Sequence, residues 1–234
     1  MAGNELKVLS AGAVKGGVAQ LAAEFERATG TRVAVDFAPA PELRDRIEAG
    51  ESADVVILPH GMMDKLAQQG KFITGSRAFL GRSLMGVTVH AAAPAQDLAD
   101  TEAFKRVVVG ASAVVFNQAS SGLYAAKLLE KLGLTKSLGS RIIVVPSGAA
   151  VMEFVAEHPP AAIGLAQISE IMVLIKKGLP VRLAAPLPDE IQNVTSYDAA
   201  AAVSGAAQDA ARALAGYLTS EAAKTVFAAT GIHN

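Results

Sequence analysis

The chain has 234 residues, 51% of them hydrophobic and 5% aromatic, with 21 Lys and Arg against 22 Asp and Glu for a formal net charge of -1. That length buries a sizeable core of mostly Ala, Val, Leu and Ile, as one large domain or two small ones. Scattered basic residues and a pI near 6.4 argue against nucleic acid as a partner, and zero cysteines exclude disulfides, thiolate metal sites and a cysteine nucleophile.

Mean hydropathy is +0.35, yet no uninterrupted apolar run reaches the roughly eighteen residues of a membrane span. The chain opens Met1-Ala2-Gly3-Asn4-Glu5 with no basic segment, apolar stretch or small-residue cleavage site. The expectation is a cytoplasmic protein, or a periplasmic one whose signal peptide has been removed or replaced.

Strands and helices alternate, the pattern of parallel sheets covered by helices. Leu6 to Leu9 reads as a strand, and Val14 to Thr29 as a helix with Val18, Leu21, Ala22 and Phe25 on one face, closed by Gly30. A strand at Val33 to Phe37, a helix at Pro41 to Ala49 ended by Gly50, a buried strand at Asp54 to Leu58 and a helix at Met62 to Gln69 follow. Leu84 to His90 leaves this unit. The second series has strands at Ala113 to Phe116, Arg141 to Val145, Ala162 to Ala166 and Val181 to Ala184, with helices at Gly122 to Leu132 and Ala149 to Ala156. Asn193 to Ala202 returns as a strand, and Gln208 to Tyr217 and Ser220 to Ala229 close the chain as helices.

This order predicts a discontinuous lobe I from 1–85 and 195–234 and an inserted lobe II from 86–194. Two chain crossings make a natural hinge, with the ligand expected in the cleft between lobes at the carboxyl ends of the strands.

Two short apolar strands run into Ser/Gly turns that open helices, at Ser10-Ala11-Gly12 and at Ser120-Ser121-Gly122. Such a turn aims backbone N–H groups past the strand end, where they suit an oxyanion or carboxylate. Ser10, Gly12, Ser120, Ser121 and Gly122 are therefore candidate ligand contacts, although serine there also suits a plain helix cap. Arg82 adds a planar fork that fits a carboxylate, with a surface ion pair as its ordinary alternative. Tyr124 is either a ligand contact or a core residue with a wet hydroxyl. His60, just past a strand end, is a weak candidate proton shuttle; Glu170, at a helix start, is a weak catalytic candidate that also complements the helix dipole. His90, His158 and His233 show no metal-ligand spacing, and no metal or cofactor is expected.

Val8-Leu9-Ser10-Ala11-Gly12-Ala13, Leu21 to Gly30, Ala53-Asp54-Val55-Val56-Ile57, Tyr124 to Leu134 and Tyr217 to Ala223 together resemble the type II periplasmic solute-binding proteins, on the molybdate-binding branch. The resemblance covers nearly the whole chain. It implies an α/β two-lobe fold, each lobe a mostly parallel sheet flanked by helices, that closes around a small anion and, as a monomer, delivers it to a membrane ABC transporter. Molybdate binders of this branch are expected to carry hydroxyls at the positions of Ala13, Ala40 and Gln167, which this chain lacks. Gly81-Arg82-Ser83, Ser120 to Tyr124 and Gln167 to Glu170 look instead like a sister group associated with organic carboxylates, which includes aconitate isomerase-like proteins. Gln167 thereby joins the ligand-contact candidates. Two functions stay open: a receptor for a carboxylate, or an isomerase that moves a proton on an unsaturated tricarboxylate. A regulatory effector domain is the weaker third, because no DNA-binding helices precede Leu6.

Overall fold

The computed structural model describes residues 5–158 and 160–233; the opening Met1-Ala2-Gly3-Asn4, on which the expectation about a signal peptide rests, lies outside them. In chain order the elements are β1 (Glu5–Ala11), a 3-10 turn (Gly12–Val14), α1 (Lys15–Thr29), β2 (Arg32–Ala38), α2 (Ala40–Glu48), β3 (Val55–Pro59), α3 (His60–Gln68), β4 (Ala78–His90), α4 (Thr101–Gly110) and β5 (Ala113–Asn117). Then come α5 (Ser120–Lys131), α6 (Thr135–Leu138), β6 (Ile142–Val145), α7 (Gly148–Glu157), β7 (Ala162–Gln167), α8 (Ile168–Lys176), β8 (Val181–Pro186), β9 (Val194–Ala201), α9 (Gln208–Tyr217) and α10 (Glu221–Ala228). The chain divides into one unit of Met1–Arg82 with Thr195–Asn234 and a second of Ser83–Val194.

In the first unit β1 lies between β2 and β3, parallel to both, and β9 runs antiparallel along β3. Val55 to Leu58 are buried on both faces, as a strand with helices above and below requires. The core joins Leu6, Leu9 and Ile57 of the sheet to Leu21, Leu43 and Phe227 of the helices. α1 ends where Gly30 takes a left-handed φ of 71°, a conformation open to glycine at little cost.

In the second unit β7 is parallel to β5 and antiparallel to β4, β6 extends the parallel part beside β5, and β8 pairs with β4. Alternation along β5 sends Val114 and Phe116 into a core with Phe104, Leu128 and Leu129, and Val115 into another with Val151, Met152 and Ile171. No helix among the described residues is long and apolar enough to cross a membrane.

Four local differences from the sequence expectations have physical causes. α4 was not anticipated; Asp100 caps it by accepting from the Ala103 N–H at 2.7 Å, and Phe104 and Val108 bury its inner face. The helix start expected at Glu170 opens a full helix, α8, that runs to Lys176 with Ser169 and Ile171 buried. The crossing strand β4 begins at Ala78, where a longer pairing was not visible in the residue pattern. α5 begins at Ser120, two residues before the expected Gly122, because Asn117 rather than a serine caps it.

α1 and α10 meet at Gly17, where a methyl group would come within 2.4 Å of the buried Phe227 ring. Gly17→Ala gains up to about 1 kcal/mol of helix propensity, but overpacking costs typically about 1 to 3 kcal/mol. The expected outcome is a net loss of about 1 to 2 kcal/mol in urea unfolding, and a stabilised variant would show that α10 yields easily.

Candidate functional site

Two groups of helix starts in this protein differ in how they are capped. α4, α7 and α10 have side-chain caps, with Asp100, Ser147 and Ser220 each accepting from a first-turn N–H at 2.7 to 3.2 Å. The helical turns that leave β1, β2, β3, β5 and β7 have Ala11, Pro39, Pro59, Ala119 and Gln167 at the capping position, and none of these makes a side-chain cap bond. Helix geometry leaves first-turn N–H groups without an intrahelical acceptor. At these strand ends the capping residue withholds the usual side-chain oxygen, and at β5 another side chain, Asn117, partly replaces it.

In the first unit Ser10 is fully buried, and its hydroxyl donates to the Ala11 carbonyl at 3.3 Å. Gly12 follows with room to spare, since a Cβ there would lie 4.0 Å from the Ala38 carbonyl oxygen, an ordinary contact. Arg82 exchanges main-chain hydrogen bonds with His233, and its exposed guanidinium lies 5.5 Å from the centre of the Phe79 ring. His60 opens α3 with its side chain 55% exposed, and its Nδ1 is 2.8 Å from Oδ2 of Asp198, which is 2% exposed. Arg77 Nε donates to the same Oδ2 at 2.7 Å, while its Nη1 donates to Asp64 at 2.6 Å and its Nη2 to the His60 carbonyl at 3.1 Å. The hydrogen bond from Arg77 holds the Asp64 carboxyl below its usual range. Sequence reasoning missed Asp198, Arg77 and Asp64; the one signal was a charge at Asp198 inside the apolar run that ends in Ala199-Ala200-Ala201.

In the second unit Asn117, at the end of β5, caps α5 from outside the helix. Its Oδ1 accepts from the N–H groups of Ala119 at 2.9 Å and Gly122 at 3.2 Å, and its amide reaches the buried Ser121 hydroxyl at 3.3 Å. A Cβ on Gly122 would sit 1.6 Å from the Asn117 carbonyl oxygen, so glycine is required there by packing alone. Ser120 differs, because its buried Oγ has no hydrogen-bond partner among the described residues. Tyr124 donates its hydroxyl to the Ile191 carbonyl at 3.0 Å, and burial pushes its pKa up.

Gln167 ends β7 and is 2% exposed. Because β5 and β7 are adjacent and parallel with Val115 level with Gly164, α5 and α8 start at the same end of the sheet. Ser169 receives a 3.1 Å hydrogen bond from Ser83. Glu170 occupies the third position of α8 and accepts from the Gln167 backbone, one half of a capping box. Its Oε2 is buried without a partner, and a Cβ on Gly148 would come within 2.2 Å of the carboxyl group. Burial raises its pKa to about 7. The remaining histidines serve locally, with His90 accepting from the Ala92 N–H and His158 stacking on Phe154.

Residues 6–233 match the family described as bacterial extracellular solute-binding protein, and the chain belongs to that family. Aconitate isomerase from Pseudomonas sp is 32% identical over 231 residues, covering 94% of this chain and 85% of that protein. Among solved structures, the periplasmic molybdate-binding protein of Azotobacter vinelandii superposes with a TM-score of 0.79 at 21% identity, covering 98% and 99% of the two chains. The sulfate-binding protein of Mycobacterium tuberculosis gives 0.78 at 13% identity, covering 97% and 86%. The fold is that of the type II periplasmic binding proteins.

Glu170 yields a pH test. Its pKa is raised in the folded state from 4.5 to about 7, so the folded protein holds a proton that the unfolded chain has released, and stability falls as pH rises from about 4.5 to 7. The difference corresponds to at most about 3 kcal/mol. Comparing Glu170→Gln with the native protein by denaturant unfolding at pH 5 and pH 8 is expected to show the native protein losing more stability on going to pH 8. Parallel pH profiles would contradict the buried, cation-free carboxyl.

Proposed function

We propose that this chain captures a small organic di- or tricarboxylate at the uncapped helix starts and delivers it, in the periplasm, to a membrane ABC transporter. The observation that carries the reading is the start of α5, where a serine hydroxyl is buried without a partner beside the first-turn N–H groups of Ser120 and Ser121, Asn117 accepting instead from the N–H groups of Ala119 and Gly122. A carboxylate accepts from both kinds of donor, and hydrogen bonds to a charged group contribute about 1.5 to 3 kcal/mol each. Ser10, Gly12 and the exposed Arg82 of the first unit and Gln167 of the second complete the proposed set. Carboxylate is favoured over molybdate because Ala13, Ala40 and Gln167 stand where molybdate binders are expected to place hydroxyls.

A second reading, isomerisation of an unsaturated tricarboxylate, is favoured by the relative named aconitate isomerase and by the His60–Asp198 pair. Capture and turnover share the ligand class. They separate when cis-aconitate is incubated with the protein and its conversion to the trans isomer is followed by proton NMR.

Titration calorimetry with aconitate isomers, citrate, molybdate and sulfate is expected to give binding for the carboxylates and none for molybdate. Replacing Ser120 and Ser121 together by Ala is expected to weaken carboxylate binding more than tenfold, at a stability cost of no more than about 2 kcal/mol. Tight molybdate binding with no carboxylate response would overturn the ligand class, and full affinity in the double variant would return both serines to a structural role.

A further inference from the structure

We propose that His60, oriented by Asp198 and Arg77, is the proton-transfer group that moves a hydrogen between carbons of a bound unsaturated carboxylate. This rests on the second reading above and assigns its chemistry to residues.

The placement follows from strand register. Ser10 of β1 is level with Ile57 of β3 and the strands are parallel, so His60 leaves β3 at the end of the sheet where the Gly12 turn leaves β1. Antiparallel β9 sets Asp198 opposite Leu58, directly behind that exit. Asp198 is 2% exposed while the His60 side chain is 55% exposed, a buried carboxylate behind an accessible imidazole.

The hydrogen-bond inventory then fixes the proton. A carboxylate only accepts, so the 2.8 Å contact with Asp198 requires the proton on His60 Nδ1. In the neutral ring the lone pair is therefore on Nε2. That atom is 3.8 Å from Asp64 Oδ2, beyond hydrogen-bond length, and Asp64 is itself held by Arg77. Arg77 also donates to Asp198, so the buried carboxylate already has a cationic partner and does not need His60 to offset its desolvation. The contact leaves the open nitrogen in the form a base requires.

Glu170 is the rival base. Its carboxyl lies against Gly148 with Oε2 buried, whereas the His60 side chain is 55% exposed.

The step balances without a co-reactant. His60 Nε2 takes a proton from a methylene carbon that is allylic to the C=C bond and adjacent to a carboxylate. The released electron pair spreads over the three-carbon allyl system, the imidazolium returns the proton to the far carbon, and the double bond ends one position along. Asp198 stabilises the transient imidazolium and acts as a positioning residue.

The test follows proton exchange rather than net conversion. In D2O the native protein is expected to exchange the methylene protons of aconitate, and His60→Gln to slow this at least about a hundredfold while binding aconitate within about threefold of the native affinity. Long-range nitrogen NMR of the free protein is expected to show His60 as the Nδ1–H tautomer, and Asp198→Asn to mix the tautomers and slow exchange. His60→Gln, at an exposed position, keeps the test decisive if Asp198→Asn fails to fold. Exchange that persists in His60→Gln, or an Nε2–H tautomer in the native protein, overturns this assignment and leaves the isomerase reading standing. Aconitate binding without exchange in the native protein overturns both and leaves capture.

Discussion

Every helix must place its first backbone N–H groups on some acceptor, and the way this chain meets that demand organises its structure. In α4, α7 and α10 the capping residues Asp100, Ser147 and Ser220 supply the oxygen. Where a helical turn leaves β1, β2, β3, β5 or β7 directly, the capping residue offers none. Withholding a cap forgoes about 1 kcal/mol per helix. That cost is offset when an anion supplies the acceptor, and the strand ends of a parallel sheet are where several such starts gather.

Three buried carboxyls in the same fold show the same accounting of donors with different answers. Asp54 accepts from the backbone N–H groups of Lys7 and Ala207 and ties the return of the chain to β1. Asp198 has Arg77 and His60. Glu170 has one backbone donor and no cation, so burial dominates and its pKa rises to about 7. Asp198, with Arg77 beside it, can orient the neighbouring imidazole; Glu170, with a single backbone donor, is pushed toward neutrality and becomes a pH-sensitive part of the packing.

Much of the fold was legible because the signals were local. The 3.6-residue spacing of Val18, Leu21, Ala22 and Phe25 and the terminating Gly30 define α1 without further information, and Gly30, Gly70 and Gly133 all take φ of 71° past helix ends. α4 is less plain in the sequence, because its start rests on the single cap Asp100 and its inner face on Ala103, Phe104 and Val108. The site was less legible. Seeking serines before helices found Ser120 and Ser121 but missed Asn117, which caps from the strand and displaces the helix start by two residues. Tyr124 offered a hydroxyl in sequence, and the structure engages it with the Ile191 carbonyl. The Arg77–Asp198 contact joins residues 121 apart, a pairing that only the return of β9 beside β3 creates.

The ligand is expected at the start of α5, on the first-turn amides of Ser120 and Ser121 that Asn117 leaves over. Amide proton–nitrogen spectra during titration with trans-aconitate read this directly, since an N–H that gains a charged acceptor shifts downfield and exchanges more slowly with solvent. The amides of Ser120 and Ser121 are predicted to move and to gain protection, while those of Glu102 and Ala222, in helices capped by Asp100 and Ser220, stay in place. Saturating ligand that leaves the Ser120 and Ser121 amides unmoved would contradict the account.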